Sequence, residues 1–288
     1  MNKIAFLFLI LDNPNFPKIW NKYFRGNREK YEIYIHPKYP DKVIWKKKNV
    51  INNLQETSWG FITKAYIELL KEAYKDTNNY KFITISESCI PIKSFDIFYN
   101  DVIKDPRSWI KKMNISKYNL QSRLEPEKIK SKHKIIPKFF IKNYARFCLN
   151  RTHVQLLLQK TEELKFFHNM HVGDEFFLTV LNPIKNVRDF AVIYDDWDYI
   201  NKQKTNVLNK IKKLYEEQEK TGKNLMVQIT ELKKEKERLY ELSKNPKTII
   251  NVEEDLEKIK DCESYFYRKF AKNSNIEKYW KEIITLHK

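Results

Sequence analysis

Apolar residues run without a break over 4–11 and recur in short blocks at 31–36 and 81–85, a pattern that predicts strands covered on both faces. Between them, 16–24 reads as a helix. Residues 59–74 place Phe61, Ala65, Leu69, Leu70 and Ala73 at helical spacing, the stripe of a helix that faces a core. A short apolar segment lies at 42–45, 151–164 and 174–181 also read as helices, and 191–194 reads as a strand. This alternation predicts an α/β fold with a central, mostly parallel sheet. The strand at 81–85 runs into Ser86-Glu87-Ser88-Cys89 and then Ile90-Pro91, and the carboxyl ends of such strands are where ligands sit in open α/β sheets.

Two stretches depart from this rhythm. Residues 104–138 are polar and basic, with Pro106, Pro126 and Pro137, and predict loops with short helices. Over 205–247, Leu208, Ile211, Leu214, Leu225, Ile229, Leu232, Leu239 and Leu242 recur at three- and four-residue spacing among dense charges, with a break at Thr221-Gly222. That is the pattern of an inserted helical hairpin or coiled-coil pair, which divides a main domain (1–204 and 248–288). Self-association through 205–247, a partner site, and simple surface packing are all open readings of it.

The 288 residues carry 55 Lys and Arg against 37 Asp and Glu, a formal charge of +18 that favours polyanions: nucleotide diphosphates, nucleic acid or a lipid surface. Cys89, Cys148 and Cys262 are each alone in sequence, which fits neither a disulfide framework nor a zinc site and suits a reducing compartment. The apolar run at 4–11 is too short to span a membrane and enters Asp12-Asn13-Pro14 with no cleavage site, so a cytoplasmic location is expected. The Asn-, Ile- and Lys-rich composition points to an AT-rich genome, such as that of a bacterium or a large virus. With only four glycines, the chain has no Gly-rich phosphate cradle, and it has no HExxH; Rossmann oxidoreductases, P-loop enzymes and zincin proteases are disfavoured.

Several segments resemble, in order, the Core-2/I-branching β-1,6-N-acetylglucosaminyltransferase family (glycosyltransferase family 14), its plant-type members above all, and the related peptide O-xylosyltransferases. Residues 3–9, 20–26 and 31–36 resemble the first strand, the aromatic helix end with Phe-x-Gly, and a strand ending in His. Trp59-Gly60, read at the head of a helix, resembles the Trp-Gly that approaches the nucleotide. FITISESCIP at 82–91 is similar to the plant members' LLSESCIPL almost residue for residue. VGDEFFLTVL at 172–181 resembles the segment that holds the catalytic base, and SYFYRKF at 264–270 the closing Phe-Ala-Arg-Lys-Phe. Taken alone, Asp174-Glu175 reads as an acidic pair at a helix N-terminus, 86–88 as a strand-to-loop turn and Arg268-Lys269 as a solvated basic pair.

The resemblance implies a GT-A-like nucleotide-sugar-binding fold and an inverting, metal-independent glycosyltransferase that moves a sugar, N-acetylglucosamine or xylose, from a UDP-sugar to a hydroxyl of a glycan or protein. It implies Glu175, beside Asp174, as the base that takes the acceptor proton. Leu11, His36, Trp59, Gly60, Ser86, Glu87, Ser88, Arg268 and Lys269 are implied on the donor, and Trp197, Asp196 and Arg146 in the acceptor wall. Ser86-Glu87-Ser88 stands where many enzymes of this fold hold a metal with Asp-x-Asp, and it is a poor ligand set; Lys269 with Arg268 is implied at the diphosphate instead. Asp195-Asp196-Trp197-Asp198 is acid-rich enough to rival it as a cation site, yet resembles the family's Tyr-x-Asp-Trp wall; no metal or other cofactor is expected. The chain departs from the family at Asn201-Lys202-Gln203-Lys204, where other members place a His-Pro or an arginine, leaving Lys202 or Lys204 to supply that charge. It departs again at Ile35-His36-Pro37, where an acidic nucleoside contact is missing.

Two other readings compete. One is a basic nucleic-acid-binding or scaffold protein without catalysis, supported by the Lys-rich runs 46–48 and 128–134, although no nucleic-acid module is recognised and none is expected as a partner. The other is an inactive family member kept for binding, against which stand Glu175 and Lys269.

Overall fold

KIAFLFLI, the first strand β1 (Lys3–Ile10), is apolar at even and odd positions alike, and it lies buried between two parallel neighbours. These are β2 (Tyr31–Pro37) and β3 (Asn79–Ser86), with Phe6 level with Ile33 on one side and Ile83 on the other. The computed structural model describes residues 1–113 and 140–286; the basic run 128–134 and most of the polar stretch 104–138 lie outside the described residues. They divide into two compact units, 1–194 with 250–288, and 195–249.

In the larger unit a six-stranded sheet runs β2-β1-β3-β8-β5-β9, where β5 is Ser108–Trp109, β8 Cys148–Asn150 and β9 Val187–Arg188. The pairs β1·β2, β1·β3 and β5·β9 are parallel, and β3·β8 and β5·β8 antiparallel, the mostly parallel α/β sheet that the apolar pattern predicts. A second sheet runs β10 (Ile193–Asp195), β11 (Phe266–Arg268), β4 (Ile90–Pro91), and a small ribbon pairs β6 (Lys112–Met113) with β7 (Lys142–Asn143).

Alternation along β1 sorts its two faces. Phe6 points into an aromatic cluster with Trp20, Tyr23 and Phe24 from α1 (Pro17–Tyr23) and its end, Phe95 and Phe98 from α3 (Phe95–Lys104), Tyr31, and Phe266 of the second sheet. Ala5 and Leu7 face the other way, into a core with Tyr66, Leu69, Leu70 and Ala73 of α2 (Thr63–Tyr74).

Three predicted helices come out differently. α2 begins at Thr63 rather than near Trp59, because Gly60 takes φ +80° and Ser58 bridges to Phe61 in a turn that a helix cannot contain. The stretch 151–164 is two helices, α4 (Arg151–Gln159) and α5 (Thr161–His168); Lys160 leaves helical geometry, and Glu162 and Glu163 suit the start of a new helix. The stretch 174–181 is two tight turns, Gly173–Glu175 and Phe177–Leu181, because Phe176, Phe177 and Leu178 are buried in succession and no single helix face could cover all three.

In the smaller unit, helices Asn201–Thr221 and Met226–Leu242 form a hairpin. Gly222, at φ +66°, ends the first helix at the predicted break, Thr221-Gly222. Ile229 and Leu239 are its buried apolar residues, and Tyr199 OH donates to the Leu242 carbonyl at 3.0 Å.

His36 ends β2 fully buried, and its Nε2 accepts the Gln55 N–H at 2.8 Å, so the ring holds segment 51–55 only while that nitrogen is unprotonated. Burial pulls its pKa below the ordinary histidine value. The folded protein therefore binds fewer protons than the unfolded chain, and the contribution is complete above about pH 6.5 and lost as pH falls through the folded pKa. Denaturant midpoints taken at about pH 7.5 and about pH 5.5 should differ less for His36→Gln, which can accept the same bond without titrating, than for wild type. Phe6→Ala, at the centre of the aromatic cluster, should lower the unfolding free energy by about 3–5 kcal/mol in a urea titration.

Candidate functional site

At the carboxyl end of β3 the chain turns sharply, with the Cys89 N–H donating to the Ser86 carbonyl at 3.1 Å. Ser86 and Ser88 are buried with their hydroxyls 3.4 Å apart, and the Ser86 hydroxyl lies 3.1 Å from the Cys89 sulfur. Two remote segments are tied to this turn. The Asn15 N–H donates to the Glu87 carbonyl at 2.8 Å, and the Phe270 N–H to the Ser88 carbonyl at 3.1 Å. The Asn15 side-chain amide closes the triangle by donating to the Phe270 carbonyl at 2.8 Å. The pair Arg268 and Lys269, more than 170 residues from the turn in sequence, is thereby held beside it.

A second junction joins the Trp59-Gly60 turn to the segment that carries the acidic pair. The Gly60 carbonyl accepts the Val172 N–H at 2.6 Å, and the His171 ring packs between Trp59 and Phe61, with ring centres 5.0 and 5.6 Å away. The fit is close: a Cβ on Gly60 would stand 2.5 Å from the His171 ring, and a Cβ on Gly173 would run into the Phe167 carbonyl and the Thr63 hydroxyl. Val172 itself is left-handed, φ +52°, a conformation uncommon for a β-branched residue. Trp59 is three-quarters exposed, a broad apolar face open to solvent.

Charge gathers between these junctions. Arg146 donates to the Tyr66 hydroxyl at 2.6 Å, and Tyr66 is fully buried. Burial pushes the Tyr66 phenol up, against the pull of Arg146; Asp174 adds to the rise and Arg268 opposes it, so all three charges act on one buried group. The Cys89 thiol is likewise raised by burial, with Arg268 and Arg146 acting against the rise. Asp174 is buried, whereas Glu175 is part-exposed and pairs through Oε2 with the Lys142 ammonium at 3.2 Å.

Most of the residues singled out from sequence thus converge: Trp59, Gly60, Ser86, Glu87, Ser88, Arg146, Asp174, Glu175, Arg268 and Lys269 belong to these linked turns. Leu11 follows β1 and is part-exposed, its carbonyl accepting the Tyr39 N–H at 2.8 Å. His36 is turned to the Gln55 backbone. Asp196, Trp197, Lys202 and Lys204 belong to the smaller unit, where the buried Asp196 accepts the Lys247 N–H at its carbonyl, 2.8 Å. Among the described residues, no three His, Cys, Asp or Glu side chains are arranged to hold a metal ion.

Sequence reasoning missed Asn15, Tyr66, Lys142 and His171. Tyr66 reads as one more apolar position of α2, and Lys142 as one lysine among many. His171, next to the acidic pair, is the one whose position in the sequence could have drawn attention.

The family model of the Core-2/I-branching enzyme matches residues 4–237, which takes in the Trp59-Gly60 turn, the 86–89 turn and the acidic pair and stops short of 264–270. A rice protein (Oryza sativa subsp. japonica), Glycosyltransferase BC10, is 26% identical over 183 residues, 57% of this chain. The chain spans 42% of that protein's length. Among the described residues no helix is long and apolar enough to cross a membrane. The match over most of the chain, with FITISESCIP and VGDEFFLTVL inside it and meeting at one place in the fold, makes the chain a member of the Core-2/I-branching enzyme family.

Proposed function

We propose that the protein is an inverting glycosyltransferase that works without a metal ion and moves a sugar, N-acetylglucosamine or xylose, from a UDP-sugar to a hydroxyl of a glycan or protein. The observation that carries this reading is the meeting of the Trp59-Gly60 turn, the 86–89 turn, Asp174-Glu175 and Arg268 in one strand-end site. In the reaction the acceptor oxygen bonds to the anomeric carbon as the carbon–oxygen bond to the diphosphate breaks, and the hydroxyl proton passes to Glu175. The part-exposed Glu175 suits the base, because its carboxylate reaches solvent and therefore an acceptor, while the buried Asp174 suits a supporting charge. Lys142 orients the Glu175 carboxylate through Oε2.

Leaving-group charge falls to Arg268 and Lys269, with Leu11, Trp59, Gly60 and the 86–88 turn forming the donor pocket. A turn with two serines and one carboxylate offers little to a divalent cation, which is why fixed side-chain charge is assigned instead.

Release of UDP should be measured over a panel of UDP-sugars with mixed hydroxyl acceptors, with and without a chelator. Wild type should retain its activity in chelator, and loss of activity there would overturn the metal-free assignment. Glu175→Gln should lower turnover by about 10²- to 10⁴-fold while UDP still binds; an unchanged rate would remove Glu175 as the base. Gly173→Ala should also depress turnover, because the added methyl displaces the segment that carries Glu175, and a wild-type rate would show that the tight fit at Gly173 has no part in placing the base.

A further inference from the structure

A departing diphosphate spreads its charge over two phosphates, and cations carried by separate elements can reach both. Arg268 and Lys269 approach the 86–89 turn from the second sheet, through β11 paired with β4 (Tyr267 level with Ile90) and the Phe270 N–H on Ser88. Arg146 approaches it from the main sheet. Phe147 donates its N–H to the Thr84 hydroxyl at 3.1 Å and accepts the Thr84 N–H at 3.2 Å, in an antiparallel register where Ile83 meets Cys148. One step further along, that register sets Arg146 beside Ile85, the residue before Ser86. Both arginines are thus brought to one turn from different sheets, and the buried Cys89 thiol within it responds to both. Tyr66 fixes the Arg146 guanidinium through Nη1 at 2.6 Å, and a guanidinium carries five donors in a fork that matches phosphate oxygens.

We propose that Arg146 is a further cation of the donor site, gripping the diphosphate together with Arg268 at the 86–89 turn. The assignment rests on the nucleotide-sugar reading above, and it moves Arg146 from the acceptor wall to the donor. It also supplies, from within the larger unit, the charge that sequence comparison left to Lys202 or Lys204.

Binding of UDP, GDP, CDP and ADP to the whole protein should be titrated calorimetrically, and the tightest of them compared with its own nucleoside. Arg146→Gln and Arg268→Gln should each weaken the nucleoside diphosphate by about tenfold or more and leave the nucleoside unchanged, as expected for charge-assisted bonds to phosphate. Tyr66→Phe, which removes the hydroxyl that fixes the guanidinium but leaves the charge, should weaken the diphosphate less than Arg146→Gln does. Arg146→Lys should fold as wild type and lose several-fold for the diphosphate alone, since a point charge replaces the fork. Diphosphate binding unchanged in Arg146→Gln, an equal loss for nucleoside and diphosphate, or an equal loss in Tyr66→Phe would each overturn the proposal. If wild type binds none of the four diphosphates, it is the nucleotide-sugar reading itself that fails.

Discussion

Three hydrogen bonds around Asn15, Glu87, Ser88 and Phe270 hold together parts of the chain that are otherwise remote. β3 brings the 86–89 turn to the sheet's carboxyl edge, but a strand end alone fixes only its own residues. Asn15 adds the exit of β1, and Phe270 adds the end of β11 with Arg268 and Lys269. Two of the three bonds join backbone groups, which must find partners once buried, and the third runs from the Asn15 side chain to a backbone carbonyl, so the junction follows largely from satisfying the main chain. The cluster around Phe6 supports it from beneath, because Phe266 of β11 packs on the same ring as the helices that cover β1. Site and core are therefore one construction: loosening the aromatic packing would let β11 move, and the two basic residues with it.

Electrostatics gives this junction its character. Arg146, Arg268 and Asp174 all act on the buried Tyr66 phenol, in surroundings where charges interact more strongly than in water. Charges in such a place are expensive unless each is matched, and the buried Asp174 brings the opposite charge into the same cluster as the two guanidinium groups. Near the acidic pair, the Lys142 ammonium holds Oε2 of Glu175 at 3.2 Å, which fixes the direction of that carboxylate.

Much of this was legible in the sequence, and the reasons for the exceptions are physical. The uninterrupted apolar block of β1 announced a strand buried on both faces, and the shorter apolar blocks of β2 and β3 marked its neighbours. The hairpin of helices Asn201–Thr221 and Met226–Leu242 was equally plain, its leucines and isoleucines spaced for one seam and its break at Thr221-Gly222. The short strands β5, β8 and β9, of two or three residues each, carry too little periodicity to be read at all. Among site residues, those inside a recognisable string were found. Asn15, Tyr66 and Lys142 were not, because each acts through a neighbour that only the folded chain provides.

The acidic pair shows most clearly what the fold adds to the sequence. In an α-helix starting at residue 174, both carboxylates would sit in the first turn, drawn to the same unpaired N–H groups and facing solvent together. Here Val172 is left-handed, the Gly60 carbonyl holds its N–H, and Gly173 fits where no side chain could, so the chain enters a tight turn instead. The turn sends its two carboxylates apart: Asp174 goes into the buried cluster with Tyr66, and Glu175 goes outward to Lys142. Two adjacent acids thus acquire different environments. The motif specifies the residues, but the difference in their surroundings is set by the Trp59-Gly60 turn more than a hundred residues away.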